Sequence, residues 1–558
     1  MSPLASRKER PWWRDAVTYQ IYPRSYADSN GDGIGDVEGI RSRLPYLKQL
    51  GIDAIWISPW YPSPQHDHGY DVSDYMDIEP DYGTLAQAET LIKEANDLGI
   101  KLIVDIVPNH TSSDHKWFQA ALKARPGSPE RDRYMFRDGK GPNGDLPPNN
   151  WEAVFGGCAW ERVIEADGKP GQWYLHLFAV EQPDLNWENP EVVAHLEDVL
   201  KFWLDRGVAG FRIDVAHGMF KEKGLPDIRK DPAASMLGTE HKPFWDQEGV
   251  HDIYRSWRKI LDSYPGDRMA VAEAWVSPSE RIARYVRSDE LQNSFNFEML
   301  TTLWDAKEIK TKINNSIDAL EEVGAPTSWV FNNHDVVRSV DRLDLGLTNH
   351  GDTTLSRQGD PKKLNIARGT LRARSAALMT LALPGGTYLY QGEELAVPEV
   401  RDIPEDRLTD PRWKMSGFSD RGRDGCRVPM PWTSNPAGAF GFSTNASLKP
   451  EQAWLPQSPW WGTYAVDTQD GVEGSTLSMY RKALAIRKGE EGLGDGPMEW
   501  IEAGKDVVAF ERPGDFACYI NFGAPIELPS NSQVLVSSGP ITGHTLPTDT
   551  AAWVRLVS

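Results

Sequence analysis

The stretch Val208-Ala-Gly-Phe-Arg-Ile-Asp-Val215 decides the fold of this 558-residue chain. It is an apolar run of strand length that ends on a carboxylate, and it follows a helix-like segment. Three other apolar runs are followed by, or end in, a comparable patch of acidic and imidazole side chains. Those patches are Asp105-Ile-Val-Pro-Asn109-His110, Ala272-Glu273-Ala-Trp275 and Asn332-Asn333-His334-Asp335. Four patches in series indicate a single pocket built from the carboxyl ends of parallel strands.

Strand-like runs alternate with helix-like segments over most of the chain, which indicates an α/β fold. Helices are expected at Glu38–Leu50, Leu85–Leu98 and Val192–Asp205, each followed within two residues by a glycine that can end it. The eight expected strands are Ala16–Tyr22, Asp53–Ser58, Lys101–Val107, Val208–Val215, Met269–Ala274, Ser294–Phe297, Thr327–Phe331 and Thr387–Tyr390. Eight strands with intervening helices predict a (β/α)8 TIM barrel.

Three other stretches depart from the strand and helix rhythm. The segment from about Thr111 to Phe178 is rich in Gly, Pro, Asn and Trp and too long for a simple loop, so we expect a domain inserted after the third strand. A second irregular stretch, Leu395–Trp461, should lie over the same barrel face, and the β-like end of the chain predicts a small C-terminal β-domain. The expected division is 1–110 and 179–488 for the barrel, 111–178 for the inserted domain and 489–558 for the β-domain.

Composition excludes several classes of partner. A net charge of −21 without a basic cluster argues against nucleic acid and anionic membrane as partners. No apolar run approaches the ~18 residues that a membrane span needs, and Met1–Trp13 has no secretory signal. Three widely spaced cysteines argue against a disulfide framework. We therefore expect a cytoplasmic protein and leave its oligomeric state open.

Two of the strand-end carboxyl groups are suited to cleaving a glycosidic bond. A retaining glycosidase needs one carboxylate that attacks the anomeric carbon and a second group, about 5–5.5 Å away, that protonates the leaving oxygen. Arg212 is expected to lower the pKa of Asp214, as a nucleophile requires. Glu273 lies in the apolar stretch Val271–Trp275, which favours the protonated form that a general acid requires. Taken singly, these residues could be an ion pair and a helix-start carboxylate; together with Asp335 they favour catalysis.

From about Val17 to Trp432 the motifs resemble the α-amylase superfamily, most closely its α-glucosidase and oligo-1,6-glucosidase branch. The resemblance implies that Asp214 is the nucleophile, that Glu273 is the acid/base, and that Asp335 grips the sugar hydroxyls in the transition state. It implies glucose binding by His110, Arg212 and His334. Asp105 and Asn109 are expected to be scaffold residues, and Gln182-Pro-Asp184-Leu-Asn186 resembles a fifth motif of the branch.

The resemblance also implies a closed pocket. In similar exo-acting enzymes, an aspartate and an arginine pair across the pocket floor and bind the terminal glucose; Asp71 and Arg423 match them here. Taken singly, Asp71 could be a turn residue and Arg423 a surface charge. The tyrosine that stacks on the sugar could be Tyr70 or Tyr75, and we favour Tyr70.

The glycine-rich loop Asp28–Asp36 places oxygen donors at alternate positions, as a hard cation needs. It lacks the glutamate that an EF-hand would have at the twelfth position, which is Gly39. It matches the first-loop metal site of the resembling branch, which implies a structural Ca²⁺ or Mg²⁺. The implied ligands are Asp28, Asn30, Asp32, the carbonyl of Ile34, and Asp36. An Asx-turn loop without metal is the alternative.

The resemblance implies a retaining, exo-acting α-glucosidase that acts on α-1,4 or α-1,6 linkages of short α-glucosides. Val215, directly after the nucleophile, accompanies α-1,6 specificity in the branch, but one β-branched side chain shifts selectivity by only ~1–3 kcal/mol and could serve packing alone. A transglycosylase or isomerase acting on sucrose, maltose or trehalose would share every catalytic residue. A non-enzymatic relative such as an amino-acid-transporter heavy chain is disfavoured, because those chains have a membrane span and lose catalytic carboxylates.

Overall fold

The computed structural model describes residues 9–228, 242–347 and 359–557, and its strands and helices are numbered in chain order. Eight parallel strands form one sheet, in the order β10-β11-β1-β2-β3-β7-β8-β9. They are β1 Val17–Ile21, β2 Ala54–Ile57, β3 Lys101–Ile106, β7 Gly210–Ile213, β8 Met269–Ala272, β9 Asn293–Ser294, β10 Ser328–Val330 and β11 Gly386–Tyr390. A parallel bridge between Asn296 and Trp329 joins the two ends of the sheet, so the barrel is nearly closed. The predicted (β/α)8 barrel is confirmed.

The barrel strands are short and almost wholly buried, because a parallel sheet is covered on both faces. Every residue of β1, β2, β7 and β8 is buried. The carboxyl end of each strand therefore carries the first side chains that can reach a solvent-filled pocket. Asp214 directly follows β7, and Glu273 directly follows β8.

Sixteen α-helical segments occur among the residues that the structure describes. They are α1 Val37–Ser42, α2 Leu44–Leu50, α3 Leu85–Asp97, α4 Lys116–Lys123, α5 Pro129–Asp132, α6 Pro190–Asp205, α7 Gly249–Asp262, α8 Ser279–Ala283, α9 Phe297–Leu300, α10 Ala306–Glu321, α11 Ser339–Leu345, α12 Ile366–Ala382, α13 Pro411–Met415, α14 Ala437–Gly441, α15 Val466–Gln469 and α16 Thr476–Gly489. Residues 438–440 of α14 have left-handed backbone angles, so it is a turn and not a regular helix.

The single helix expected over Glu38–Leu50 is instead the pair α1 and α2, which meet at Arg43. Pro45 explains the break, since its nitrogen carries no hydrogen and cannot donate to a carbonyl one turn earlier. The helix expected over Leu85–Leu98 is α3, which begins after Thr84 with a capping box between Thr84 and Gln87.

The inserted segment contains a small antiparallel sheet in the order β4-β6-β5, made of β4 Phe136–Arg137, β6 Pro170–Leu175 and β5 Trp160–Ile164. Its aromatic core includes Trp151, Phe155 and Phe178 and continues onto Val215, directly beyond β7. The inserted domain thus packs against the carboxyl end of the barrel.

The C-terminal part forms the antiparallel sheet β12-β13-β14-β18-β16 and the pair β15 and β17, as expected. The strands are β12 Glu499–Trp500, β13 Val507–Arg512, β14 Phe516–Asn521, β15 Ile526–Glu527, β16 Ser532–Ser537, β17 Thr545–Leu546 and β18 Thr550–Leu556. Trp553 of β18 donates from its indole nitrogen to the carbonyl of Leu378 on α12 at 2.9 Å, which fixes this sheet to the barrel.

The division at residues 110, 178 and 488 stays a prediction, and its outermost parts, residues 1–8 and 558, lie outside the described residues. None of the helices within 9–228, 242–347 and 359–557 is both long and apolar enough to cross a membrane.

Candidate active site

Arg212, the third residue of β7, lies at the centre of the candidate active site. Its Nη1 donates to Oδ1 of Asp105 at 2.9 Å and to Oδ1 of Asp214 at 2.5 Å. Its Nη2 lies 2.6 Å from Oε2 of Glu273. These carboxyl groups come from three adjacent strands, β3, β7 and β8, and all are buried. The barrel therefore brings Asp214 and Glu273 onto one guanidinium group.

Three carboxyl groups share this one guanidinium, so the cluster has an excess of negative charge. Burial, aided by Glu273 and Asp105, raises the pKa of Asp214 well above its ordinary value, while Arg212 opposes that rise. Burial likewise raises the pKa of Asp105 to about 7. The negative charge of Glu273, which contacts the same guanidinium as Asp214, adds to this rise in the pKa of Asp214. The expected lowering of the pKa of Asp214 is therefore wrong, because burial and the neighbouring carboxyl groups outweigh Arg212, whose charge is divided among three carboxyl groups.

Glu273 is held by donors on both of its oxygens. Trp275 donates from its indole nitrogen to Oε1 at 3.1 Å, and the backbone amide of Val215 donates to Oε2 at 3.1 Å. The ring of Trp275 is fixed in turn by stacking on Phe297, with centroids 3.9 Å apart. The expected apolar setting is therefore wrong in part, because Arg212, Val215 and Trp275 all contact the carboxylate.

Val215 has a backbone φ of 44°, which is rare for a β-branched residue. Strain of this kind costs about 1–3 kcal/mol and persists only where the surrounding structure enforces it. Here the unusual angle follows directly on Asp214 and turns the Val215 amide onto Glu273. Val215 belongs to the same buried cluster as Phe155 and Phe178 of the inserted domain, and it lies beyond the end of β7 instead of within the strand as the sequence indicated.

Of the two candidate tyrosines, the structure places Tyr70 in the site. Its ring stacks on His334 with centroids 5.1 Å apart and planes 5° apart, and its hydroxyl donates to Oδ2 of Asp105 at 3.2 Å. Tyr75 donates to the carbonyls of Val107 and His110 and is buried. Tyr75 therefore supports the loop after β3, and Tyr70 faces the carboxylates.

Both predicted histidines are buried beside these groups. Burial lowers the pKa of His110 to about 4, and it lowers the pKa of His334 well below its ordinary value, so both rings are neutral at pH 7. Asn109 donates from Nδ2 to Nδ1 of His110 at 3.1 Å, in keeping with the scaffold role expected of it. Nε2 of His334 lies 3.3 Å from Oδ2 of Asp335.

The expected pairing of Asp71 with Arg423 is wrong, because Arg423 pairs with Asp67. Nη2 of Arg423 donates to Oδ1 of Asp67 at 2.8 Å, and Nη1 donates to Oδ1 of Asp335 at 3.0 Å. Asp71 instead accepts hydrogen bonds from the Ser63 hydroxyl and from the backbone amides of His66 and Asp67. Asp71 therefore shapes the loop that presents Asp67.

Four residues that the sequence analysis did not assign to the site belong to this network: Asp67, Gln182, Asp410 and Arg427. Arg427 donates from Nη2 to Oδ1 of Asp335 at 2.9 Å, and Gln182 donates from Nε2 to Oδ2 of Asp67 at 3.1 Å. Asp410 accepts from Nε of Arg423 at 2.7 Å. The available signals were the first aspartate of His66-Asp-His-Gly-Tyr-Asp71, which is Asp67, and an arginine four positions after Arg423.

Asp335 is the acceptor on which these cations converge. Burial alone would raise its pKa, but His334, Arg423 and Arg427 outweigh burial and lower the pKa below its ordinary value. Its side chain is 23% exposed, more than those of its partners. An ionised carboxylate that is partly open to the pocket can accept hydrogen bonds from sugar hydroxyls.

The fifth motif, which follows the inserted domain, is joined to the loop after β7. Asp184 lies 2.8 Å from Nζ of Lys221, and the same nitrogen donates to Oδ1 of Asn109 at 2.9 Å. Asp184 also accepts from Nδ2 of Asn109 at 3.1 Å. This buried network positions Asn109 and, through it, His110.

The loop predicted to hold a cation has oxygen donors of the right chemistry, but its carboxylates are engaged with the loop itself. Asp28 accepts backbone amides at 2.6 and 2.8 Å, Asp32 accepts one at 2.8 Å, and Asp36 accepts the Gly39 amide at 2.6 Å. No group of three or more His, Cys, Asp or Glu side chains is placed to hold a metal ion within the described parts of the chain. Binding of Ca²⁺ or Mg²⁺ by Asp28, Asn30, Asp32, Ile34 and Asp36 thus stays a prediction.

Comparisons with known proteins agree with this chemistry. Residues 20–496 match the family described as the catalytic domain of α-amylase. The chain is 37% identical over 554 residues to a probable alpha-glucosidase of Rhizobium meliloti (strain 1021), with 96% of this chain and 93% of the relative covered. It is 37% identical over 511 residues to an oligo-1,6-glucosidase of Parageobacillus thermoglucosidasius, covering 86% and 84%.

Among solved structures, that of an alpha-glucosyl transfer enzyme superposes with a TM-score of 0.83 at 34% identity, covering 98% of this chain and 100% of the other. The family match spans well over half of the chain, and the barrel carries two carboxyl groups on one arginine at its carboxyl end. The protein therefore belongs to the α-amylase family and is a glycoside hydrolase.

Proposed function

We propose that the protein is a retaining, exo-acting α-glucosidase that removes the terminal non-reducing glucose from α-linked disaccharides and short oligosaccharides. The observation that carries the proposal is the contact of Asp214 and Glu273 with the two terminal nitrogens of Arg212. Two carboxyl groups held by one guanidinium suit the short separation of a retaining enzyme, whereas an inverting enzyme needs room for a water between them.

In the first step, Asp214 attacks the anomeric carbon of the glucose as its bond to the leaving oxygen breaks. Glu273 gives its proton to that oxygen, and the freed sugar departs. The product is a glucosyl ester of Asp214 with inverted configuration at the anomeric carbon. Arg212 contacts both carboxyl groups and holds them in position relative to each other for this transfer.

In the second step, a water molecule attacks the same carbon and gives a proton to Glu273, and Asp214 leaves as a carboxylate. Two inversions restore the α configuration. Asp335 and the neutral His110 and His334 are the groups suited to hold the glucose hydroxyls. Hydrogen bonds to those hydroxyls that strengthen in the transition state lower the barrier.

The exo-acting mode rests on the ion pair between Arg423 and Asp67. Both side chains are nearly buried, and they link the loop after β2 to the segment after β11. This connection closes one end of the pocket, so a second sugar cannot extend past the terminal glucose. Short substrates are therefore favoured over internal bonds of starch.

The relatives named alpha-glucosidase and oligo-1,6-glucosidase support this substrate class. They do not select one linkage, and we propose activity on α-1,4 linkages, α-1,6 linkages or both. A cytoplasmic location and a structural cation in the loop 28–36 are further proposals that rest on the sequence.

Transfer of glucose to a second sugar is the alternative function. The structural likeness to an alpha-glucosyl transfer enzyme favours it, as do the aromatic residues Phe155 and Phe178, which share a buried cluster with Val215, the residue after the nucleophile. Apolar rings near the leaving group would disfavour water and favour stacking of an acceptor sugar.

Incubation with maltose, isomaltose, sucrose, trehalose and soluble starch tests both functions. Free glucose from short α-glucosides, with little from starch, is expected. New oligosaccharides or sucrose isomers as the main products would favour transfer. Rapid release of long fragments from starch would contradict the closed pocket.

A further inference from the structure

Gln20 of β1 lies against Nδ1 of His334, the ring nitrogen opposite the one that faces Asp335. Its Nε2 is 2.7 Å from Nδ1 of His334, and the same nitrogen donates to Oγ of Ser58 at 3.1 Å. Both hydrogens of the Gln20 amide thus have an acceptor. Gln20, His334 and Ser58 are all buried, so this arrangement is not exchanged with solvent.

The contact constrains the tautomer of His334. A neutral imidazole has one nitrogen that donates and one that accepts. If Nδ1 accepts from Gln20, the proton must lie on Nε2. If the amide of Gln20 were reversed, its oxygen would require the proton on Nδ1 and leave a lone pair on Nε2.

Asp335 decides between these two arrangements. Its Oδ2 lies 3.3 Å from Nε2 of His334. An anionic oxygen repels a lone pair at that distance and attracts an N–H, so Nε2 must carry the proton. The only arrangement that satisfies Asp335 is the one in which Gln20 donates to Nδ1.

Nε2 of His334 has no hydrogen-bond partner among the residues that the structure describes, although it is buried. Its N–H is therefore available to a hydroxyl of the bound glucose. We propose that Gln20 is a positioning residue that holds His334 as the Nε2–H tautomer, so that this N–H is directed at Asp335 and at a substrate hydroxyl. The proposal rests on the glucosidase function for its effect on rate, but not for the tautomer itself.

The other histidine of the pocket shows the same chemistry. Asn109 donates from Nδ2 to Nδ1 of His110 at 3.1 Å, and its orientation is fixed because its Oδ1 accepts from Lys221 at 2.9 Å. Nε2 of His110 lies 3.1 Å from the carbonyl of Tyr70, which can accept a hydrogen bond, and 3.1 Å from Nε2 of Gln182. In both histidines, therefore, a side-chain amide nitrogen lies against Nδ1.

The test measures the tautomer directly, from the ¹⁵N shifts of imidazole nitrogens in histidine-labelled full-length protein, with His334→Gln to assign the signal. In the wild type we expect Nδ1 unprotonated and Nε2 protonated. In Gln20→Glu, a nearly isosteric change, the carboxylate should draw a proton onto Nδ1. Gln20→Met removes the donor without adding charge and should leave the tautomer unfixed.

We expect the catalytic rates of these variants to fall with the loss of the Nε2–H tautomer. We expect kcat/KM to fall on the order of 100-fold in Gln20→Glu and about 10-fold in Gln20→Met, since one donor to the transition state is misdirected. Thr18→Val is the matched control, because Thr18 lies on the same face of β1 two residues earlier and is equally buried. It should retain the wild-type rate and tautomer.

A proton on Nδ1 in the wild type, or an unchanged tautomer in Gln20→Glu, would overturn the proposal. Full activity in Gln20→Met with a fixed Nε2–H would do so as well. If the wild type shows the Nε2–H tautomer but cleaves no α-glucoside, the proposed function fails and the tautomer assignment stands.

Discussion

Arg423 donates from Nη2 to Oδ1 of Asp67 at 2.8 Å, and this ion pair links the loop after β2 to the segment after β11. The neighbouring Asp71 is buried too, yet it bonds only its own loop through Ser63, His66 and Asp67. Asp67 and Asp71, four residues apart, therefore have different roles. One contacts the cation that faces the substrate, and the other shapes the loop.

Asp67→Asn and Asp71→Asn separate these roles. Removing the charge of Asp67 leaves Arg423 with a weakened partner, and we expect kcat/KM on maltose to fall on the order of 100-fold. Asp71→Asn weakens the acceptor for two backbone amides and should cost about 1–3 kcal/mol of unfolding free energy with a smaller effect on rate. Steady-state kinetics and thermal melts of both variants check this. The reverse ranking of rates would restore the pairing expected from the sequence.

Asp105→Asn should move the acid limb of the pH dependence of kcat/KM to lower pH. Asp214 must be ionised to attack, and the negative charge of Asp105 raises its pKa. Removing that charge lowers the pKa of Asp214, so the limb should shift by roughly one unit. Glu399→Gln is the control. Glu399 is a buried carboxyl group whose pKa is raised to about 8 by burial, and it accepts a hydrogen bond from the backbone amide of Arg338. A shift of the acid limb to higher pH in Asp105→Asn would contradict the claim that Asp105, which shares Arg212 with Asp214, raises the pKa of Asp214.

Val215→Ala and Val215→Thr test linkage preference. Val215 follows the nucleophile and packs against the aromatic core of the inserted domain, so its side chain bounds the space beside the leaving group. We expect the ratio of kcat/KM for isomaltose to that for maltose to fall, by no more than about 200-fold. An unchanged ratio with a lowered melting temperature would assign Val215 to packing alone.

Ca²⁺ or Mg²⁺ should raise the melting temperature if the loop 28–36 binds a cation. A ligand at 100 times its Kd adds about 2.7 kcal/mol to the free energy of unfolding. Chelation should reverse the rise, and Asp32→Ala should abolish it, because Asp32 bonds only residues of this loop. If calorimetric titration shows no heat of binding, the alternative is favoured, in which backbone amides of the loop stabilise it without a metal ion. The catalytic rate at saturating substrate should stay the same.

The barrel was predictable because its strands are apolar runs that end on polar patches, as in Lys101–Ile106 and Gly210–Ile213. The pair Asp214 and Glu273 was predictable for the same reason, since each is the first polar residue after a buried strand. Pro45 indicates that Glu38–Leu50 should divide into two helices. The regular spacing of apolar residues across this segment instead suggested one continuous helix.

The choice between Asp67 and Asp71 could not be made from the sequence. It depends on the loop backbone, in which His68 has a φ of 51° and Gly69 a φ of 102°. These left-handed turns direct one carboxylate to Arg423 and the other into the loop. Charge sharing around Arg212 was likewise hidden, because it depends on three strands being adjacent in space.

The configuration of the glucose first released tests the central claim, which is that Asp214 and Glu273 act as a retaining pair. Proton NMR of maltose or isomaltose hydrolysis at high enzyme concentration resolves the two anomers before they interconvert. The account predicts α-glucose from the wild type and nearly none from a folded Asp214→Asn variant. Initial release of β-glucose, or substantial hydrolysis by Asp214→Asn, would contradict it.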